Sequence, residues 1–300
     1  MNKNISFWFK AVRPFSWPAS LMPVILCSAY LIYKNNFVQL DVQWHLLPFV
    51  LLAGLLYHSA GNLISDLRDY QSGVDTENSL GYHSPLLKKE VDEKTWYKAG
   101  VLILLFGTIV GFVIAYYSGP HLLWIGAIGL ISSYGYKYFK YNALGDMIIF
   151  ISFGLLMTLG TYYSLTSKLS IDAILLSLPV ALITVGILHA NNSRDISSDT
   201  IAKMRSQASI IGFYYSKIYY LILIAGAYII VFGLIFINLL PVTASVVIIT
   251  LPIAISNIRC MVQSTQEDIS EIIFLDVKTA KLQLLFTIVL SIGVIIGKYI

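Results

Sequence analysis

Apolar residues dominate nine windows of the chain: residues 18–33, 44–62, 96–117, 121–138, 144–165, 171–190, 213–237, 239–258 and 280–300. Each is close to the roughly 20 residues that carry a helix across the hydrocarbon of a bilayer. Some connections are as short as "YSGP" at 117–120, which suits antiparallel neighbours. Two polar excursions, 65–94 and 193–209, are far longer, and they follow the second and sixth windows. The pattern predicts an all-α integral membrane protein, a single domain over 1–300 made of nine transmembrane helices, with the active site toward the cytoplasmic face.

Composition agrees with the pattern. The 300 residues are 57% hydrophobic and 12% charged, against roughly 25% charged in soluble domains, and mean hydropathy is +0.75. The net charge of +4 could suggest an anionic partner, but its distribution follows membrane topology instead. With the N-terminus cytoplasmic, 17 of the 20 Lys and Arg residues fall on that side and only Lys34, Lys168 and Lys298 on the other. This is the retention expected of basic loops. It predicts a multi-pass protein of the inner or plasma membrane, its N-terminus cytoplasmic and its C-terminus opposite. Nucleic acid is not indicated as a partner, and no obligate protein partner is evident. The first apolar run is longer than a signal-peptide core and lacks a small-residue cleavage site, so it reads as a true span. Cys27 and Cys260 sit in or beside apolar segments without disulfide or metal spacing.

The chemistry concentrates at the two polar excursions. "GNLISDLRDYQSGVDT" (61–76) ends the second window and "ANNSRDISSD" (190–199) the sixth, so an acidic pattern occurs twice. On a helix Asn62, Asp66 and Asp69 share a sector of roughly 60°, and Asn192, Asp195 and Asp199 fall on one face with Asn191 beside Asp195. Like charges so spaced repel and call for a cation. Carboxylate and amide oxygens are hard ligands suited to Mg²⁺, which binds one or two carboxylates together with substrate phosphates. Two such patches facing each other would clamp a diphosphate, with Asp66, Asp69, Asp195 and Asp199 as catalytic metal ligands. The plainer alternative is a solvated helix end, the weaker of the two throughout, though it weighs more for Asp75 in its glycine-containing loop.

These residues resemble the UbiA-type intramembrane prenyltransferases, whose two aspartate-rich motifs follow the second and sixth spans. The likeness extends to "AVRPFSWPASLMPVIL" (11–26), "LGDMIIFISFGLLMTLGTYY" (144–163) and "TAKLQLLF" (279–286). The five-residue gap between Asp69 and Asp75 and the "NNxRDxxxD" form of the second motif resemble the menaquinone branch, the 1,4-dihydroxy-2-naphthoate polyprenyltransferases. Two positions depart from the pattern: Ser65 where Asn is common, and Ser84 where an Arg precedes Pro85. The resemblance implies Mg²⁺-dependent transfer of a polyprenyl group from its diphosphate to an aromatic acceptor, with loss of CO₂ and pyrophosphate. The departing diphosphate would need basic groups. Candidates are Arg68, Lys137, Lys140, Arg194, Lys203 and Arg205, Arg194 foremost because it is embedded in a motif. Substrate contacts are expected from Asn62, Arg68, Asp75, Lys137, Asn191, Asn192, Arg194 and Lys203. Tyr134, Tyr136, Tyr162 and Tyr163 are candidate cation–π partners for an allylic cation.

His58 lies one turn before Asn62 on the acidic face, and His189 precedes the second motif similarly. As lone histidines both read first as packed polar residues and second as substrate contacts. A competing class is a cation-coupled transporter, since acids within helical bundles also mark ion pathways. Its sites lie near the midplane in broken helices, whereas these carboxylates cluster at one face. A phosphoalcohol transferase ranks last, because its compact "DGxxAR" signature is missing.

Overall fold

The structure, a computed structural model, describes residues 5–73, 84–201 and 204–300. Its helices are α1 (Ile5–Ala11), α2 (Pro18–Lys34), α3 (Leu47–Gln71), α4 (Glu93–Ser118), α5 (His121–Tyr141), α6 (Gly145–Thr166), α7 (Ile171–Arg194), α8 (Ile196–Ile201), α9 (Gln207–Phe236), α10 (Val242–Gln263) and α11 (Leu275–Ile296). Among the described residues eight of these, α2 to α4, α6, α7 and α9 to α11, are long and apolar enough to cross a membrane. The ninth expected span, α5, is present at 21 residues and packs against α3 and α4. Its second half, "SSYGYKYFKY", is too polar to qualify by hydropathy, and the reason emerges at the active site.

Helices suit this solvent because each satisfies its own backbone hydrogen bonds where water is absent. Their ends carry local signals. Proline occupies the first turn of α2, α3 and the α-helical part of α10, where its missing N–H costs nothing. The Asp92 carboxylate accepts from Thr95 N–H at 2.8 Å and caps α4. The tight turn into α5 needs Gly119, whose φ of 112° an L side chain rarely adopts. α9 is kinked at Gly212 (φ 77°, ψ 165°), so its membrane-crossing part begins at Phe213, where the apolar window also began.

Two packed groups of helices frame a cavity. α2, α7, α9 and α11 share the larger core, with Leu26, Tyr30, Val180, Ile183, Ile224 and Phe286 almost fully buried. α1, α3 and α4 meet around Leu63, Leu67 and Trp96, whose indole N–H donates to Leu63 C=O at 2.8 Å. α6 joins them through a π-helical stretch, Phe150–Leu156. There Gly154 presses so closely on α7 that a Cβ would overlap that of Ala181.

Candidate active site

A cavity of about 600 Å³ lies inside the bundle, walled by the lead-in to α2 and by α3 to α7. Its deep wall is apolar, with Val50, Ile125, Leu130 and Met157 among the lining residues. Its polar end holds Asn62, Asp69, Lys140, Asn191 and Asp276. Phe112 on α4 and Leu123 on α5 line it at 60% and 47% exposure.

Of the first motif's acids, Asp69 lines the polar end, while Asp66 is off the lining. Asp66 is fully buried and pairs with Arg13, which enters from the turn before α2. Asp69, also buried, accepts from Lys140 Nζ at 2.9 Å, Tyr141 Oη at 3.3 Å and Ser65 Oγ at 3.4 Å. The unusual Ser65 therefore supports Asp69. Asn62 donates to Val12 C=O and to Ser16 Oγ, both at 3.1 Å. Arg68 does not line the cavity; it lies within electrostatic reach of Tyr97 on α4. Asp75 and Lys203 fall outside the described residues, as does the side chain of Lys137.

The second motif departs from a single helical face. α7 ends at Arg194, Asp195 forms its C-cap at φ −94°, ψ 7°, and Asp199 sits on the separate short helix α8. The local cause is a bidentate fork: Arg194 donates to both oxygens of Asp195, at 2.8 and 2.7 Å. Arg194 also donates to Asn191 Oδ1 at 2.7 Å, Ile273 C=O at 3.0 Å and Asp276 at 3.4 Å. Its side chain is 4% exposed and its donors are engaged by protein, so it braces the motif rather than facing a ligand. Asn191 lines the cavity, whereas Asn192 is buried and does not line it.

The two motifs nevertheless converge. The Asp199 carboxyl feels the charges of Lys140, Asp195 and Asp69. Burial pushes its pKa up to about 7, opposed by the 2.7 Å hydrogen bond from Ser206 and by Lys140. Three functional candidates emerge that the spacing of the motifs does not reveal. Lys140 was one of several equivalent bases in the sequence, and the i, i+4 relation to cavity-lining Tyr136 was its only local signal. Arg13 lay in the "AVRP" segment and Asp276 opens α11, and nothing in either stretch announces a partner 53 or 82 residues away.

An apolar cavity inside a helical membrane bundle, with Asp69, Asp276, Lys140 and two asparagines at its polar end, is a layout suited to a lipid with an anionic head. The chain belongs to the UbiA prenyltransferase family, whose model matches residues 17–282. It is 34% identical over 294 residues to human (Homo sapiens) "UbiA prenyltransferase domain-containing protein 1", covering 96% of this chain and 82% of that protein. Against the Drosophila melanogaster homolog of that protein, identity is 33% over 238 residues, 75% of this chain and 63% of the relative. The fold is that of solved family members. A UbiA homolog from Aeropyrum pernix K1 superposes with a TM-score of 0.69 at 15% identity, covering 92% of this chain and 97% of that one. A UbiA homolog from Archaeoglobus fulgidus bound to DMAPP and Mg²⁺ gives 0.56 at 12% identity over 95% and 99%. The relatives found do not place the chain in the menaquinone branch that its motif spacing resembled. Family membership sets aside the transporter reading.

Proposed function

We propose that this UbiA-family prenyltransferase moves a polyprenyl group from its diphosphate to an electron-rich aromatic acceptor, with Mg²⁺ at the two acidic motifs. 1,4-Dihydroxy-2-naphthoate, which would lose CO₂ as it is alkylated, is the first acceptor to test. The observation that carries the reading is that Asp69 of the first motif and Asn191 of the second line the polar end of one 600 Å³ apolar cavity, a size suited to a lipid-like ligand, with Asp199 within electrostatic reach of Asp69 and Lys140.

The donor set fits Mg²⁺. Among the described residues no three acidic, histidine or cysteine side chains form a metal cage by themselves. Mg²⁺ does not require one, since it takes one or two carboxylates and completes its shell with water and phosphate oxygen. Asp66 with Asp69, and Asp195 with Asp199, supply such pairs. When bound, the metal neutralises charge on the departing diphosphate. Lys140 and Arg13, now paired with Asp69 and Asp66, supply further positive charge at the same place. Asn62 and Asn191 offer amide groups on either side, and Arg194 holds the second motif in shape. The apolar wall keeps water from the allylic cation.

The test is a membrane assay with labelled geranylgeranyl diphosphate, offering 1,4-dihydroxy-2-naphthoate, 4-hydroxybenzoate and a lipid alcohol separately, with and without Mg²⁺. Mg²⁺-dependent prenylation of the naphthoate is the expected result, with Asp66→Ala slowing it by at least about 10²-fold. Unaltered turnover in that variant would sink the reading. Prenylation of the lipid alcohol alone would move the chain to the acceptor class of the digeranylgeranylglyceryl phosphate synthase, whose structure it matches with a TM-score of 0.62 at 17% identity.

A further inference from the structure

Asp66 and Asp69 each share their carboxylate with a cation from another part of the bundle. Asp69 accepts from Lys140 Nζ at 2.9 Å, and both residues line the cavity. Asp66 pairs with Arg13. The carboxylate is fully buried and off the cavity lining, whereas the Arg13 side chain is 25% exposed and on it, so a ligand in the cavity touches Arg13 and not Asp66. Arg13 is aimed by its backbone: φ 56° and ψ 63° put it in the left-handed region, unfavourable for a residue with a Cβ. Ser16 holds this turn, its N–H and hydroxyl donating to Arg13 C=O at 3.0 and 2.8 Å. Asn62 secures the residue before it, donating to Val12 C=O at 3.1 Å. Strain kept where it directs a charge onto a motif acid points to function.

The pair at the second motif is built differently. Arg194 is 4% exposed and makes five hydrogen bonds, to both Asp195 oxygens, Asn191, Asp276 and Ile273 C=O. Moving it would break them together. Arg13 and Lys140 instead stand on the cavity lining, within reach of whatever enters. A metal ion that binds Asp66 or Asp69 competes with these cations for the same oxygens. Displacing either by metal alone leaves an organic cation beside a divalent one in a low-dielectric bundle, which is costly. A prenyl diphosphate removes the obstacle, because it brings anionic oxygens into the same cavity, and both guanidinium and ammonium bind phosphate.

We propose that Arg13 and Lys140 are exchangeable counter-ions: they hold Asp66 and Asp69 and transfer to the diphosphate as it enters, so that these acids take up Mg²⁺ with the diphosphate and not before it. This rests on the proposed reading of the site. Linkage makes the effect reciprocal: the diphosphate raises metal affinity by the factor by which the metal raises diphosphate affinity. When pyrophosphate and metal leave, the two cations return to their aspartates.

The test measures binding without turnover. Purified wild type, Arg13→Met, Lys140→Met and Lys140→Arg are titrated with Mn²⁺ as a paramagnetic stand-in for Mg²⁺, free Mn²⁺ being read by electron paramagnetic resonance. Each titration is run with and without geranylgeranyl thiodiphosphate, a slowly ionising analogue, and corrected for Mn²⁺ held by the analogue in the absence of protein. In the wild type the analogue should tighten Mn²⁺ binding by about 5–150-fold. In Lys140→Met, Mn²⁺ without the analogue should bind about tenfold more tightly than in the wild type, and the coupling factor should shrink. Arg13→Met should behave in the same way, and it decides the matter if Lys140→Met does not accumulate. Lys140→Arg keeps the charge and should keep most of the coupling. Mn²⁺ affinity without the analogue that is unchanged or weaker in either Met variant overturns the exchange, as does a wild type that binds Mn²⁺ equally well with and without the analogue. A wild type that retains no Mn²⁺ even with the analogue overturns the metal reading of the site, and the exchange with it.

Discussion

Arg194 and Lys140 each stand beside an aspartate of an acidic motif, and their surroundings give them different consequences on mutation. Arg194 is buried and holds Asp195, Asn191, Asp276 and a backbone carbonyl together. Arg194→Met leaves those acceptors without their donor, so a loss of about 3–5 kcal/mol is expected, read as a lower thermal midpoint of the purified protein. Lys140 offers one compact charge to Asp69, which keeps Tyr141 and Ser65. Lys140→Met should melt near the wild type yet lower kcat by about 10²–10³-fold. Asp199 adds a pH dependence. Its carboxyl, pushed up to about 7 by burial, is protonated below that pH, and a ligating carboxylate must give up its proton to bind metal. Apparent Mg²⁺ affinity should therefore weaken by about tenfold from pH 8 to pH 6, measured as the Mg²⁺ concentration for half-maximal rate; an unchanged value would remove Asp199 from the ligand set.

At the scale of the helix, α5 and α6 determine the shape of the cavity. Gly126 and Gly129 on α5 line it, and a Cβ at either would meet nothing within 4 Å. Gly126→Leu should leave stability intact while lowering kcat/KM for geranylgeranyl diphosphate more than for dimethylallyl diphosphate, because the added side chain enters space the longer tail needs. Gly154→Ala is expected to be costly for the opposite reason. Its new methyl meets Ala181 across the α6–α7 crossing, and overpacking of this kind costs about 1–3 kcal/mol, visible in the same melting measurement. Helix positions were legible in the sequence because bilayer thickness and backbone satisfaction leave few choices; even the start of the seventh span at Phe213 matched the Gly212 kink. The faces of the first motif were legible for the same periodic reason. The pairing of Asp66 with Arg13 and Asp69 with Lys140 was not, since those partners are 53 and 71 residues away and periodicity carries no information on which helices meet. α5 also shows how function erodes a signal: the polar residues that bring Lys140 and Tyr141 to Asp69 weaken its hydropathy as a span.

For the whole molecule, the basic residues that outnumber their counterparts 17 to 3 lead us to propose an orientation with the acidic motifs on the cytoplasmic side. A cysteine at Ser72 should then react with an impermeant thiol reagent only in inside-out vesicles, and one at Ser167 only in right-side-out ones. The exposure of Phe112 and Leu123 on the α4 and α5 walls of the cavity leads us to propose that it opens sideways to lipid, which has a kinetic consequence. A substrate that arrives through the bilayer is counted in mole fraction of lipid, not in moles per litre of buffer. Adding inert phospholipid at fixed total enzyme and prenyl diphosphate should slow turnover, and adding buffer should leave it unchanged. For this protein the concentration that matters is measured over an area.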